Sequence, residues 1–145
     1  MKDRRTLFAA VAAIGLMLTP VVSAQDSKAA TVTGNVVDVA CFMIHPGAAE
    51  APSHKECGAA CVARGVPVAI ANEADGQLYF PADQKQLQPY RDKRVTAAGT
   101  FVHKDEPMEL KMPVGDKNEM SVKVTGGYNV LTIEKLTPAP KIGKK

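Results

Sequence analysis

All three cysteines, Cys41, Cys57 and Cys61, and two of the three histidines, His45 and His54, stand between Ala40 and Gly65. On either side of this segment the chain alternates polar and β-branched residues, as strands do. Any fold must therefore carry an irregular, chemically loaded insertion between its first two strands. The insertion contains a helix signal. Ser53-x-x-Glu56 has the form of a capping box, which predicts a helix from His54. Gly65 is placed to end it, with Arg64 in the last turn.

Helical geometry sorts the side chains of that segment. With about 100° per residue, His54, Cys57 and Cys61 fall within a stripe about 60° wide. Their axial spacing separates two cases. Cys57 and Cys61 are one turn apart, about 6 Å, and can share an ion; His54 and Cys61 are about 10.5 Å apart along the axis, too far for one ion without strain. Cys57 lies toward the helix N-terminus, where the dipole favours a thiolate. A third thiolate from Cys41, with His54 or His45 as fourth ligand, completes a soft site for copper or zinc. The candidate metal ligands are thus Cys41, His54, Cys57 and Cys61. Met43, Met108 and Met112 would favour Cu(I) if they were ligands, and fill gaps in the core if they were not. Asp38 reads as the end of the first strand, or as a second-layer partner of a ligating histidine.

Two other readings fit the same cysteines. Cys41 can bridge to Cys57 or Cys61 as a stabilising disulfide, which leaves an odd third thiol. Alternatively, a thiol pair can be redox-active, although C-x-x-x-C is not the C-x-x-C of thioredoxin-like helices, and C-x-x-C-H for covalent haem is absent. Thiol redox is the one enzymatic reading with content. The sequence has no H-E-x-x-H, phosphate loop, nucleophile elbow or convincing carboxylate pair. The expectation leans away from an enzyme.

The rest of the chain predicts a small, mainly β domain. Strands are expected at Thr31 to Val39, Val66 to Ala71, Gln77 to Phe80, Arg94 to Val102 and Tyr128 to Leu136. Asn72 to Gly76 is a turn that pairs the second strand with the third. Pro81 to Tyr90 is a short helix at best, and Glu106 to Val124 holds a smaller hairpin. A five-stranded OB barrel has this order, with its helix between the third and fourth strands. The expected fold is an OB-like barrel of five to six strands with one short Cys-bearing helix and a second short helix. An open sheet or small sandwich fits the same order. Gly34 and Gly99 would ease the bending that barrel strands need.

The N-terminus bears on location. Lys2, Arg4 and Arg5 precede an apolar run, Leu7 to Leu18, that is too short to span a bilayer. Pro20 breaks the run, and Val22-Ser23-Ala24 forms a cleavage site. Residues 1–24 therefore read as a signal peptide, 25–30 as a linker, 31–137 as the OB-like domain with its insertion at 40–65, and 138–145 as a flexible Lys/Pro tail. The expected location is periplasmic or secreted, with no stable membrane insertion after cleavage. The formal net charge of +3 arises mostly in the signal, so the exported part is close to neutral. With 5% aromatic residues and so little net charge on the exported part, nucleic acid is not an expected partner.

The layout Gly34-x-Val-x-Asp38-x-x-Cys41, then His54-x-x-Cys57-x-x-x-Cys61-x-x-x-Gly65-x-Pro67, then Asp75-Gly76-x-x-Tyr79, resembles a group of small exported bacterial proteins of undefined function with OB-like barrels. The resemblance covers about residues 31–136. It implies a barrel with a cysteine-bearing insertion and brings no established reaction. Two functions follow as expectations. The first is an exported protein that handles copper or zinc, with the metal ion as partner. The second is a disulfide-pinned module without metal that recognises a small ligand or another exported protein, through a face built from Tyr79, Phe80, Tyr90 and Phe101.

Overall fold

The computed structural model describes residues 26–44, 52–114 and 117–140, with the side chains of 52–57 and 112–114 outside the described set. The expected signal segment 1–24, His45 and the last five residues of the expected tail also lie outside it. The elements run β1 (Lys28–Asp38), α1 (Val39–Ile44), α2 (Pro52–Ala63), β2 (Val68–Asn72), β3 (Leu78–Pro81), two 3₁₀ turns (Gln84–Gln86 and Gln88–Tyr90), β4 (Arg94–Lys104), β5 (Met108–Val114), β6 (Asn118–Val124) and β7 (Tyr128–Pro138).

Five strands close into a barrel in the order β1-β2-β3-β7-β4, and β5 and β6 form a separate antiparallel pair. All barrel pairings are antiparallel except β3 with β7. This is the expected OB-like barrel. Closure depends on β1 bending. Its first part pairs with β4, from Lys28↔Phe101 to Asn35↔Arg94, and its last part pairs with β2, from Gly34↔Asn72 to Asp38↔Val68. Gly34 belongs to both ladders. A Cβ there would fall 1.8 Å from the Ala71 carbonyl oxygen, so only glycine permits the crossing. Gly99 stands at a register shift between β4 and β7, where a Cβ would fall 1.9 Å from the Thr132 carbonyl oxygen.

The interior follows from alternation. Val32 and Val36 of β1, Val68 and Ile70 of β2, Val95 and Ala97 of β4, and Leu131 and Ile133 of β7 point inward and pack as one cluster. Leu87, from between the 3₁₀ turns, enters this core fully buried. Gln84 anchors that turn by pairing its amide with Val68: the Val68 N–H donates to Oε1 at 2.8 Å, and Nε2 donates to the Val68 carbonyl at 3.1 Å. Tyr79 meets Phe101 edge to face at 5.5 Å. Tyr79, Phe101 and Tyr90 thus belong to the core or its edge rather than to an open face.

The second strand is apolar on both faces, and both are covered. Ala69 points out of the barrel and packs with Val39, Phe80 and Leu110. Leu110, Met108 and Val124 belong to the β5–β6 hairpin, which folds over the outer wall of β2 and β3. Among the described residues, no helix is long and apolar enough to cross a membrane.

Candidate metal centre

The site begins where β1 stops. Asp38 is the last residue of the strand and is fully buried. Its Oδ1 accepts a 2.9 Å hydrogen bond from the Cys41 N–H, three residues on. That is an N-cap, and it starts α1 at Val39. The chain there leaves the sheet, and the Val39 N–H donates to the Pro67 carbonyl at 3.0 Å. Asp38 therefore ends the strand, as expected, and also sets the direction of Cys41. Cys41 stands on a helix of its own, so two helices bear cysteines where one was expected.

The third member comes from α2. This helix begins at Pro52, two residues before the expected start, with proline in the first turn where its missing N–H costs nothing. Its C-terminus is a Schellman motif. Gly65, at φ +91°, donates its N–H to the Val62 carbonyl, and the Val66 N–H donates to the Cys61 carbonyl, both at 3.0 Å. Val66 is buried, and Cys61 packs against it beside Ala40. The cap thus fixes Cys61 through its backbone and its side chain together. It also explains why β2 starts at Val68 rather than Val66: Val66 and Pro67 are bonded to Cys61 and Val39 instead of to the sheet.

Gly58 brings α2 close to the end of β1. It is buried, and a Cβ on it would meet Asp38 Oδ2 at 3.0 Å and Arg91 Cδ at 3.8 Å. Val62, one turn later on this face, packs against the barrel core. As a result, one carboxylate oxygen of Asp38 and the Sγ atoms of Cys41 and Cys61 all lie within 4.8 Å of one another. The acid is buried and both cysteines are half-buried. Three such atoms can ligate one tetrahedral ion after small adjustments.

Of the four ligands expected from sequence, the structure brings Cys41 and Cys61 together. His54 and Cys57 stand on α2, with side chains outside the described residues. Sequence reasoning did not count Asp38 among the donors. The available signal was the Asp-x-x-Cys spacing at a strand end, which is that of an N-cap with its third helical residue. The methionines take the other role. Met43 and Met108 pack against the apolar cluster of Val39, Ala69, Phe80 and Leu110, and the Met112 side chain lies outside the described residues. No family model, curated protein or solved structure matches this chain.

Proposed function

We propose that this protein is an exported metal-binding protein whose ion is held at the junction of β1, α1 and α2. The observation that carries this reading is the approach of Asp38, Cys41 and Cys61 to within 4.8 Å. Cys57, one helical turn before Cys61, is proposed as the fourth ligand of a tetrahedral ion, and His54, about 10.5 Å from Cys61 along the helix axis, falls outside that set. A carboxylate among thiolates favours zinc over Cu(I), because Zn²⁺ accepts oxygen ligands and Cu(I) selects sulfur. Met43 and Met108, the thioethers that would argue for copper, are engaged in the apolar cluster. Export and kinship with the small exported barrel proteins belong to the same proposal and rest on the N-terminal segment and the Cys/His layout.

Elemental analysis tests the reading, combined with thiol counts in denaturant before and after reduction. Protein purified from the exported fraction without chelator should carry about one zinc per chain and three titratable thiols before reduction. Protein without metal, showing one thiol before reduction and three after, would overturn it. The cysteines would then act as a staple, and the disulfide-pinned module would replace the metal centre.

A further inference from the structure

A second feature lies on the opposite side of α1. Cys41 and Met43 are two residues apart on that helix, hence about 200° around it. Cys41 faces the candidate metal centre, and Met43 lines a groove of about 260 Å³. This is slightly below the roughly 300–1,000 Å³ of drug-sized ligand sites, which suits a molecule of one or two rings. Leu78, Phe80, Val124 and Tyr128 form its apolar walls. The rings of Phe80 and Tyr128 already meet edge to face at 6.0 Å.

The polar end of the groove is built from three strands. Asn129, on β7, is 4% exposed, and its Nδ2 donates to Gln77 Oε1 at 2.7 Å. That leaves its Oδ1 for His103 Nδ1, 2.9 Å away at the end of β4. In the neutral imidazole, this network places the proton on Nδ1 and leaves Nε2 as an acceptor. A buried amide that fixes the tautomer and orientation of an imidazole prepares the other nitrogen for a partner. The backbone packs closely against the ring, and only glycine fits there. Gly127 stands at φ +84°, and a Cβ on it would fall 2.4 Å from Nε2. Among the described residues, no lysine, arginine or carboxylate lines the groove. Asp105 lies outside, 3.6 Å from Nε2 with its side chain fully in water, where a carboxylate contributes little to binding a cation.

We propose that this groove binds an uncharged aromatic molecule of the phenol class, with its hydroxyl donating to His103 Nε2 and its ring lying against the wall that Phe80 and Tyr128 form together. The site is independent of the metal reading, because none of its groups belongs to the Asp38, Cys41 and Cys61 cluster. The probe is 2-naphthol, with 2-methoxynaphthalene as the matched compound that lacks the donor, followed by fluorescence titration of the full mature chain. We expect 2-naphthol to bind about three- to tenfold more tightly, the size of one hydrogen bond to an imidazole whose side chain is 47% exposed. In His103→Phe, the two compounds should bind alike. The ¹⁵N resonance of His103 Nε2 should move on adding 2-naphthol by more than that of Nδ1, a readout that needs no variant. A Cys41→Ser, Cys61→Ser double variant should keep the preference, so that loss of the metal site and loss of this one are distinguishable. Equal binding of the two compounds by the unaltered protein, an unchanged preference in His103→Phe, or no binding of 2-naphthol up to its solubility limit would each overturn the proposal.

Discussion

Asp38 has two oxygens with two surroundings. Oδ1 holds the Cys41 N–H and so starts α1, while Oδ2 faces Gly58 of α2. The two tasks can be separated by substitution. Asparagine caps a helix about as well as aspartate, but it brings no charge to a metal. Asp38→Asn should therefore leave the thermal midpoint of the metal-free protein within a few degrees and weaken zinc binding about 10- to 100-fold. Asp38→Ala should also lose the cap, about 1 kcal/mol of stability. Competition with a chromophoric chelator and thermal melts of the metal-free proteins measure the two effects. Equal zinc affinity in Asp38→Asn would remove the carboxylate from the ligand set. None of this is visible from Asp38 alone in the sequence, where a single acid closing a strand is ordinary. Its significance comes from burial, which only packing creates.

At the scale of elements, the C-terminus of α2 was readable in advance. Gly65 follows a helical run and precedes Val-Pro, a pattern that specifies a left-handed cap. The structure supplies both Schellman bonds. Gly65 has nothing within 4 Å of a hypothetical Cβ, so alanine there meets no clash, only the positive φ. Gly65→Ala should cost roughly 1–2 kcal/mol through backbone strain. Because the Val66 N–H bonds to the Cys61 carbonyl, the substitution should weaken zinc binding as well. Urea unfolding, followed with and without saturating zinc, checks both. A variant that loses stability with unchanged metal affinity would show that the cap holds the helix without holding the site. The hairpin of β5 and β6 was also legible, since both strands fall within the Glu106 to Val124 stretch where a hairpin was expected. Its docking over β2 and β3 was not. Leu110 and Ala69 are far apart in sequence, and nothing local says that they meet.

For the whole molecule, stability rests on closing the barrel, and one ion pair reports on that closure. Arg94, the first residue of β4, donates from Nε and Nη2 to both carboxylate oxygens of Glu73, each at 2.8 Å, just beyond the end of β2. The hydrogen bonds from Arg94 hold the Glu73 carboxyl below its ordinary value. A carboxylate with a lowered folded-state pKa stabilises the fold above its unfolded pKa and loses that contribution as pH falls through the folded one. Melts of the unaltered protein and of Glu73→Gln should therefore converge as pH drops through and below the ordinary carboxylate range, and separate at neutral pH. The gap should be small, because both groups are partly in water and salt screens them. Curves separated equally at every pH would assign the difference to something other than ionisation.

Local patterns alone determined the strands, the turns, the cap at Gly65 and the confinement of reactive side chains to one segment. Each of these depends on residues within a few positions of one another, where backbone sterics and periodicity act directly. The helical stripe of the insertion was likewise a consequence of 3.6 residues per turn. The tertiary structure decided what the stripe faces. Asp38 became a candidate donor because β1 ends beside α2, and α2 comes that close because residue 58 has no side chain. Gln77, Asn129 and His103 became one network because β7 lies next to both β3 and β4. Such contacts follow from the order in which strands close a barrel, and that order is set by the burial of the whole apolar set at once rather than by any stretch of the chain.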